Sequence, residues 1–286
     1  MPDTASDGSA GRGQRYRSIV AFVDADPSSQ GRLEAAIGLA GAEDAHLTAV
    51  ALHYVPNIPP YAFSETPAGS MTQILVDTHE AAEARARSAQ EAIDARGIRG
   101  DAVPCVTIYN DVERAVAEAA RYGDLAITGP PEGEAIPGTA SDILDGVLYD
   151  SDVPALVLPA DGTPPDPSTV LIGWDGSRQA LRAVRGALPF LAAAEKVEIC
   201  IFDPRGEAPG QRLAMFLSRH GVHAAIAALP RPRDTTAAAL ARRALEIGAG
   251  LLVMGAYGHS RFRETLIGGV TRETLEEVPL PLLLAH

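Results

Sequence analysis

The sequence predicts an α/β protein built as two tandem, open, five-stranded, doubly wound parallel-sheet domains. Three observations predict it. Short Val/Ile/Leu runs alternate with alanine-rich stretches at helical spacing along the whole chain. Three landmarks then recur: Val-Ala-Phe-Val-Asp24 with Leu-Ile-Gly-Trp-Asp175, Leu-Ala-Ile-Thr-Gly129 with Leu-Val-Met-Gly255, and Val153-Pro with Val278-Pro. Between the copies, residues 161–168 carry three prolines in a short polar run, which is a linker composition. Strand–helix alternation implies right-handed βαβ units and a sheet covered on both faces.

The first copy takes residues 17–160, after a Gly/Ser/Asp-rich tail at 1–16. Residues 17–23 form an apolar run ending at Asp24, and Leu33, Ala36 and Ile37 lie at helical spacing behind it. Strands are expected at 47–55, 103–108, 125–128 and 153–158, with a proline-rich loop from 56 to 60. Helices are expected at 71–95 and 112–120, and residues 143–149 follow a glycine-proline loop. The second copy, 169–286, restarts at 170–174, and Asp175-Gly-Ser177 is placed to cap a helix with Leu181, Val184, Leu188 and Leu191 on one face. Strands at 197–202, 222–229, 251–254 and 280–285 follow, with helices from 234 or 235 to 247 and from 270 to 277. Pro279 and Pro281 predict edge or partial pairing for the last strand.

Composition excludes several classes. A formal charge of −13 argues against a nucleic-acid or anionic-membrane surface, both of which need clustered Lys/Arg. No apolar run approaches a bilayer-spanning length, and the first 15 residues lack a signal-peptide hydrophobic stretch. Cys105 and Cys200 lie far apart in apolar runs, which predicts buried thiols in a reducing, cytoplasmic compartment.

The stretch with most chemistry is 255–271, Gly-Ala-Tyr-Gly-His-Ser-Arg-Phe-Arg-Glu-Thr-Leu-Ile-Gly-Gly-Val-Thr. A buried strand opens into glycines, a polar loop follows with Arg261 and Arg263, and Gly268-Gly269 stands at a helix start. Glycines let backbone N–H groups close on an oxyanion, and a helix N-terminus adds unpaired donors and a favourable dipole. The pattern is an anion cradle.

A strand ending in Asp-Gly-Ser, with Gly255-x-x-Gly258, nine residues and then Gly268, resembles the universal stress protein family, whose loop is G-x₂-G-x₉-G-[S/T]. The resemblance covers residue 17 to the end as two copies, by motif in the second and by topology alone in the first. It implies an adenine nucleotide alpha hydrolase-like, Rossmann-like fold with strands one and four adjacent where strand order reverses, and ligands bind outside strand ends at such a switch point. It also implies that Asp175 contacts adenosine, and that backbone N–H groups of Gly258, Gly268, Gly269 and Val270, with the Thr271 hydroxyl, hold phosphates. Gly255, His259 and Arg261 would belong to the same site, and Ile172, Phe202 and Met254 would wall the adenine. Gly269 departs from the family hydroxyl, a loss on the order of 1 kcal/mol. The implied function is a stress-response sensor or regulator binding ATP or another adenine nucleotide, with or without Mg²⁺, and with little turnover.

The first copy departs further. Gly129-Pro-Pro puts proline where N–H donors are wanted. Residues 129–152 hold six acids and no base, whereas Arg261, Arg263 and Arg272 lie in the second loop. Residues 1–160 sum to −14 and 161–286 to +1, so one working site per chain is expected. Some side chains keep two roles open. Asp175 serves as cap or ligand contact, His259 reaches phosphate or solvent, and Asp24 and Asp26 are capping groups ahead of metal ligands. Two other functions stand beside the leading one: a slow ATPase or phosphotransferase, and a nucleotide-free dimerisation or interaction module. Against an enzyme, there is no Walker loop, no G-x-S-x-G elbow and no His/Cys metal cluster. The two copies are expected to pair within the chain as a pseudo-dimer, with a homodimer of chains as a further possibility.

Overall fold

The computed structural model describes residues 15–55, 68–131, 139–204, 206, 208–256 and 280–286. Each apolar run becomes a strand. In the first copy these are β1 (Ser18–Val23), β2 (His46–Val55), β3 (Gly100–Ile108), β4 (Leu125–Thr128) and β5 (Ala155–Val157). In the second they are β6 (Thr169–Gly173), β7 (Lys196–Phe202), β8 (Ala224–Leu229), β9 (Leu251–Gly255) and β10 (Leu282–Ala285). Among the described residues they form one ten-stranded sheet in the order β3-β2-β1-β4-β5-β10-β9-β6-β7-β8. Each copy therefore has its first and fourth strands adjacent and parallel, β1 with β4 and β6 with β9.

The copies meet at β5 and β10, which pair antiparallel in the register Leu282↔Val157, Leu283↔Leu156, Leu284↔Ala155. Of the edge or partial pairing expected for the last strand, the edge position is corrected here, and pairing covers only Leu282–Ala285 of the expected 280–285. β10 is an interior strand between β5 and β9, because it begins at Leu282 and leaves the missing N–H of Pro281 outside the ladder. The Pro281 carbonyl still accepts from Leu252 N–H at 3.0 Å.

Helices cover both faces. On one lie α1 (Ser29–Glu43), α2 (Ala68–Arg96), α5 (Arg178–Gly186), α6 (Leu188–Ala193) and α7 (Gln211–Arg219). Leu33, Ile37, Ile93, Val184, Phe190 and Leu217 from these helices share a core with Ile19, Ile127, Leu156, Ile172 and Leu283. On the other face lie α3 (Val112–Ala120), α4 (Thr139–Asp145) with a π-helical turn at Gly146–Asp150, and α8 (Thr236–Ile247). Their Val116, Leu144, Leu148 and Leu240 pack on Phe22, Leu171, Leu252 and Leu284. Both cores run through the seam, and each fully buried Leu or Ile contributes about 1.5–3 kcal/mol.

The single helix expected around Leu181–Leu191 is two, α5 and α6, with Ala187 between them. Pro189 lacks an N–H and clashes with the preceding turn, so it opens a new helix rather than continuing the old one. The expected linker is docked rather than loose. Gly162, at φ 74°, lies so close to α1 that an added Cβ would stand 2.7 Å from Gly31. Asp161 accepts from the Thr163 hydroxyl and amide, and Asp166 from those of Ser168. These bonds hold both carboxyls below the usual carboxylate range. Cys200 is buried, but Cys105 is only partly so because β3 is an edge strand. Burial pushes the Cys200 thiol up to about 11.

Tyr16 ties the copies together away from the sheet. Its hydroxyl donates to Gly186 O at 2.6 Å, and its ring meets Phe190 edge-on at 5.4 Å. Burial, with Glu43 and then Asp124 nearby, raises its pKa well above 10.0. The neutral form is thus favoured in the folded state, so its stabilisation is complete below pH 10 and falls away as pH rises toward the folded pKa. Tyr16→Phe should cost about 0.5–1.5 kcal/mol at neutral pH. It should also remove part of the stability loss seen on denaturant titration above pH 10. An unchanged alkaline limb in the variant would refute that assignment.

Candidate functional site

At the carboxyl end of β6 the chain turns sharply into α5. Asp175 Oδ1 accepts the Ser177 amide at 2.8 Å, and Gly176 takes φ 81° to close the turn. Ser177, not Asp175, caps the helix: its backbone is extended and its Oγ accepts from Ala180 N–H at 3.0 Å. The capping role is thereby taken from Asp175, whose side chain is exposed. On the neighbouring strand, Gly255 lets the first turn of α5 pack against the end of β9. A Cβ there would overlap Ala180 N and stand 2.8 Å from the Gln179 carbonyl carbon.

Asp175 and Gly255 therefore stand together at the switch point between β6 and β9, although 80 residues separate them. Phe202 ends β7 and Met254 precedes Gly255, and both pack on the α8 face of the sheet. Ile172 does not join them. It is fully buried in the opposite core, which also holds Val184 of α5 and Leu217 of α7, because strand neighbours alternate between faces. Gly258, His259, Arg261, Gly268, Gly269, Val270 and Thr271 lie outside the described residues. Among the described residues there is no group of three or more His, Cys, Asp and Glu side chains that could hold a metal ion.

The first copy has the same topology, but its strand-end carboxylate is paired with an arginine. Asp24 ends β1 as Asp175 ends β6, but its carboxylate is turned inward. Its Oδ1 accepts from Asp26 N–H at 3.0 Å, Ser29 Oγ at 3.0 Å and Arg32 Nη2 at 3.2 Å. The side chains of Arg32 and Asp24 are only 5% and 9% exposed. Arg32 Nε also donates to Phe22 O at 3.0 Å, and Nη2 to Ser29 Oγ at 2.8 Å. Nη1 rests against Gly129, where any Cβ would overlap it. Where α5 packs its backbone on Gly255, the first copy instead inserts an arginine between the ends of β1 and β4. Sequence reasoning missed Arg32. Its signal was a charge sitting within the apolar stripe of Leu33, Ala36 and Ile37.

Below the second site, Glu198 of β7 is 5% exposed and held by Arg243 of α8 through two bonds, Nε–Oε1 at 2.6 Å and Nη2–Oε2 at 2.8 Å. This bidentate pair fixes α8 on the sheet face that carries Met254. No described helix is long and apolar enough to cross a membrane.

No protein-family model matches the sequence, and no curated protein matches it significantly. Solved structures do match. A universal stress protein from Archaeoglobus fulgidus DSM 4304 is 16% identical, covers 93% of this chain and 97% of its own, and has a TM-score of 0.69. A universal stress protein candidate from Pseudomonas aeruginosa UCBPP-PA14 is 16% identical, covers 94% and 93%, and has a TM-score of 0.56. A universal stress protein in complex with cAMP is 30% identical over 42% of this chain and 96% of its own, with a TM-score of 0.33.

Proposed function

The chain has the universal stress protein fold along nearly its whole length, and on that premise we propose that its second copy alone binds an adenine nucleotide. One observation carries the reading. At the two equivalent switch points, Asp175 presents an exposed carboxylate beside Gly255, while Asp24 is buried and consumed by Arg32. A carboxylate at a strand end can accept from ribose hydroxyls or from an adenine amine. Backbone N–H groups of the glycine-rich loop, residues 258–271, supply the matching donors for phosphate. Arg261 and Arg263 offset phosphate charge, and Thr271 supplies the hydroxyl that Gly269 lacks. Mg²⁺, where present, arrives with ATP, because a hard cation needs oxygens beyond the one carboxylate on offer.

The role is that of a sensor or regulator with little turnover. Nucleotide binding stabilises the folded chain, and the occupied loop is the signal. Purified protein that is denatured should release one equivalent of adenine nucleotide per chain, and ATP, ADP, AMP and cAMP should be compared by thermal shift. Asp175→Ala should weaken binding about ten- to a hundredfold, as expected for a lost charged hydrogen bond. Gly258→Val should abolish binding, while Asp24→Asn should leave nucleotide affinity unchanged. Full affinity in Gly258→Val would place the nucleotide elsewhere, and two equivalents per chain would refute the asymmetry. Steady ATP hydrolysis lost in Asp175→Ala would turn the reading toward an enzyme.

A further inference from the structure

The ten-stranded sheet ends in β3 on one side and β8 on the other, and the two edges are built differently. β3 carries Pro104 at mid-strand and Asp101, which pairs with His46 at 2.5 Å. Proline and charge are ordinary means of discouraging another strand from adding to a sheet. β8 has neither. Its six residues are Ala-Ala-Ile-Ala-Ala-Leu, and Ala225, Ile226 and Ala228 are exposed. Asp203 N–H bonds to Leu229 O, so the odd-numbered carbonyls of β8 turn toward β7. The amides and carbonyls of 224, 226 and 228 are left facing outward.

The charge around this edge is just as distinct. Residues 208–233 contain four arginines, two histidines and no acid, in a chain of net charge −13. Arg219, His220 and His223 stand at the amino end of β8, and Arg231 and Arg233 at its carboxyl end; all are exposed. None of these arginines makes an ion pair among the described residues, so their charge is not offset by a neighbouring carboxylate there. We propose that β8 is a docking edge for an extended protein segment with acidic flanks, which adds an eleventh strand.

Two other occupants fit less well. Antiparallel pairing of β8 with β8 of a second copy would set Arg219 and His220 against Arg231 and Arg233, like charge on like. A nucleic acid would satisfy the arginines but not the alternating backbone donors and acceptors between them. An acidic strand satisfies both, with main-chain bonds supplying affinity and the flanking charges supplying choice of partner.

The test uses the full chain and two labelled nonapeptides, Glu-Asp-Val-Thr-Val-Thr-Val-Asp-Glu and the same core flanked by lysines, read by fluorescence anisotropy. The acidic peptide should bind saturably and at least about tenfold more tightly than the basic one, and weaken as salt rises to 0.5 M. Ala228→Pro removes one outward N–H without touching the bonds to β7, and should abolish binding with the melting temperature nearly unchanged. The pair Arg231→Glu and Arg233→Glu should do the same through charge and does not depend on a proline being tolerated. Equal affinity for the two peptides, or full affinity in the charge-reversed protein, overturns the proposal. So does a concentration-dependent dimer lost in Ala228→Pro, or displacement of the peptide by an oligonucleotide at lower concentration.

Discussion

Arg32→Ala should lower the unfolding free energy by about 3–5 kcal/mol, one of the two largest single-site effects expected in this chain. The guanidinium is 5% exposed on its side chain and holds a carboxylate that is 9% exposed. Removing the arginine leaves Asp24 in a low-dielectric site with only Ser29 Oγ and the Asp26 amide for partners. It also strips the Phe22 carbonyl of its side-chain donor. Arg32→Met keeps the volume and separates the charge term from the packing term. A double-mutant cycle tests the geometry independently of nucleotide. Gly129→Ala places a Cβ where Arg32 Nη1 now lies, so the substitution should be costly with arginine present and cheap once position 32 is truncated. Contacting residues typically couple by about 0.5–3 kcal/mol. Additive costs, measured by urea unfolding, would mean that Arg32 is not wedged between β1 and β4.

The strands and the duplication are legible in periodicity and repetition, and the adjacency of first and fourth strands is what the family resemblance implies. Val-Ala-Phe-Val-Asp24 and Leu-Ile-Gly-Trp-Asp175 announce the same strand in each copy, and both pair with the expected fourth strand. The place of Asp175 beside Gly255 follows from that topology and needs no side-chain detail. What stayed hidden depends on contacts between residues distant in sequence. The burial of Asp24 rests on a guanidinium eight residues further along, and a helix map places that side chain no better than any other. The resemblance groups Ile172 with Met254, but register on neighbouring strands puts them on opposite faces. The interior position of β10 escaped for a related reason. Pro281 marks where the strand begins, and sequence alone did not separate a strand that contains a proline from one that follows it.

Leu283→Ala should cost about 2–5 kcal/mol and change the shape of unfolding as well as its midpoint. Leu283 is fully buried and pairs across the seam with Leu156, which is 1% exposed. Among the described residues three residue pairs join the two halves of the sheet there, and both hydrophobic cores pass through them. Gly186 of α5 adds to the junction: a Cβ at that position would stand 2.8 Å from Pro154. The intact chain should therefore melt in one calorimetric transition, with calorimetric and van't Hoff enthalpies equal. With the seam weakened by Leu283→Ala, two transitions should appear. Nucleotide then tells which copy is which. At a ligand concentration about 100 times Kd, binding adds about 2.7 kcal/mol to whatever unit unfolds with the site. In the intact chain this should raise the single transition, so that a ligand in the second copy protects the first. In Leu283→Ala it should raise one transition and leave the other in place. That separation would show that the seam carries the signal between a copy that binds and a copy that does not. Two transitions in the unmodified chain would mean that the copies fold independently and the seam transmits nothing.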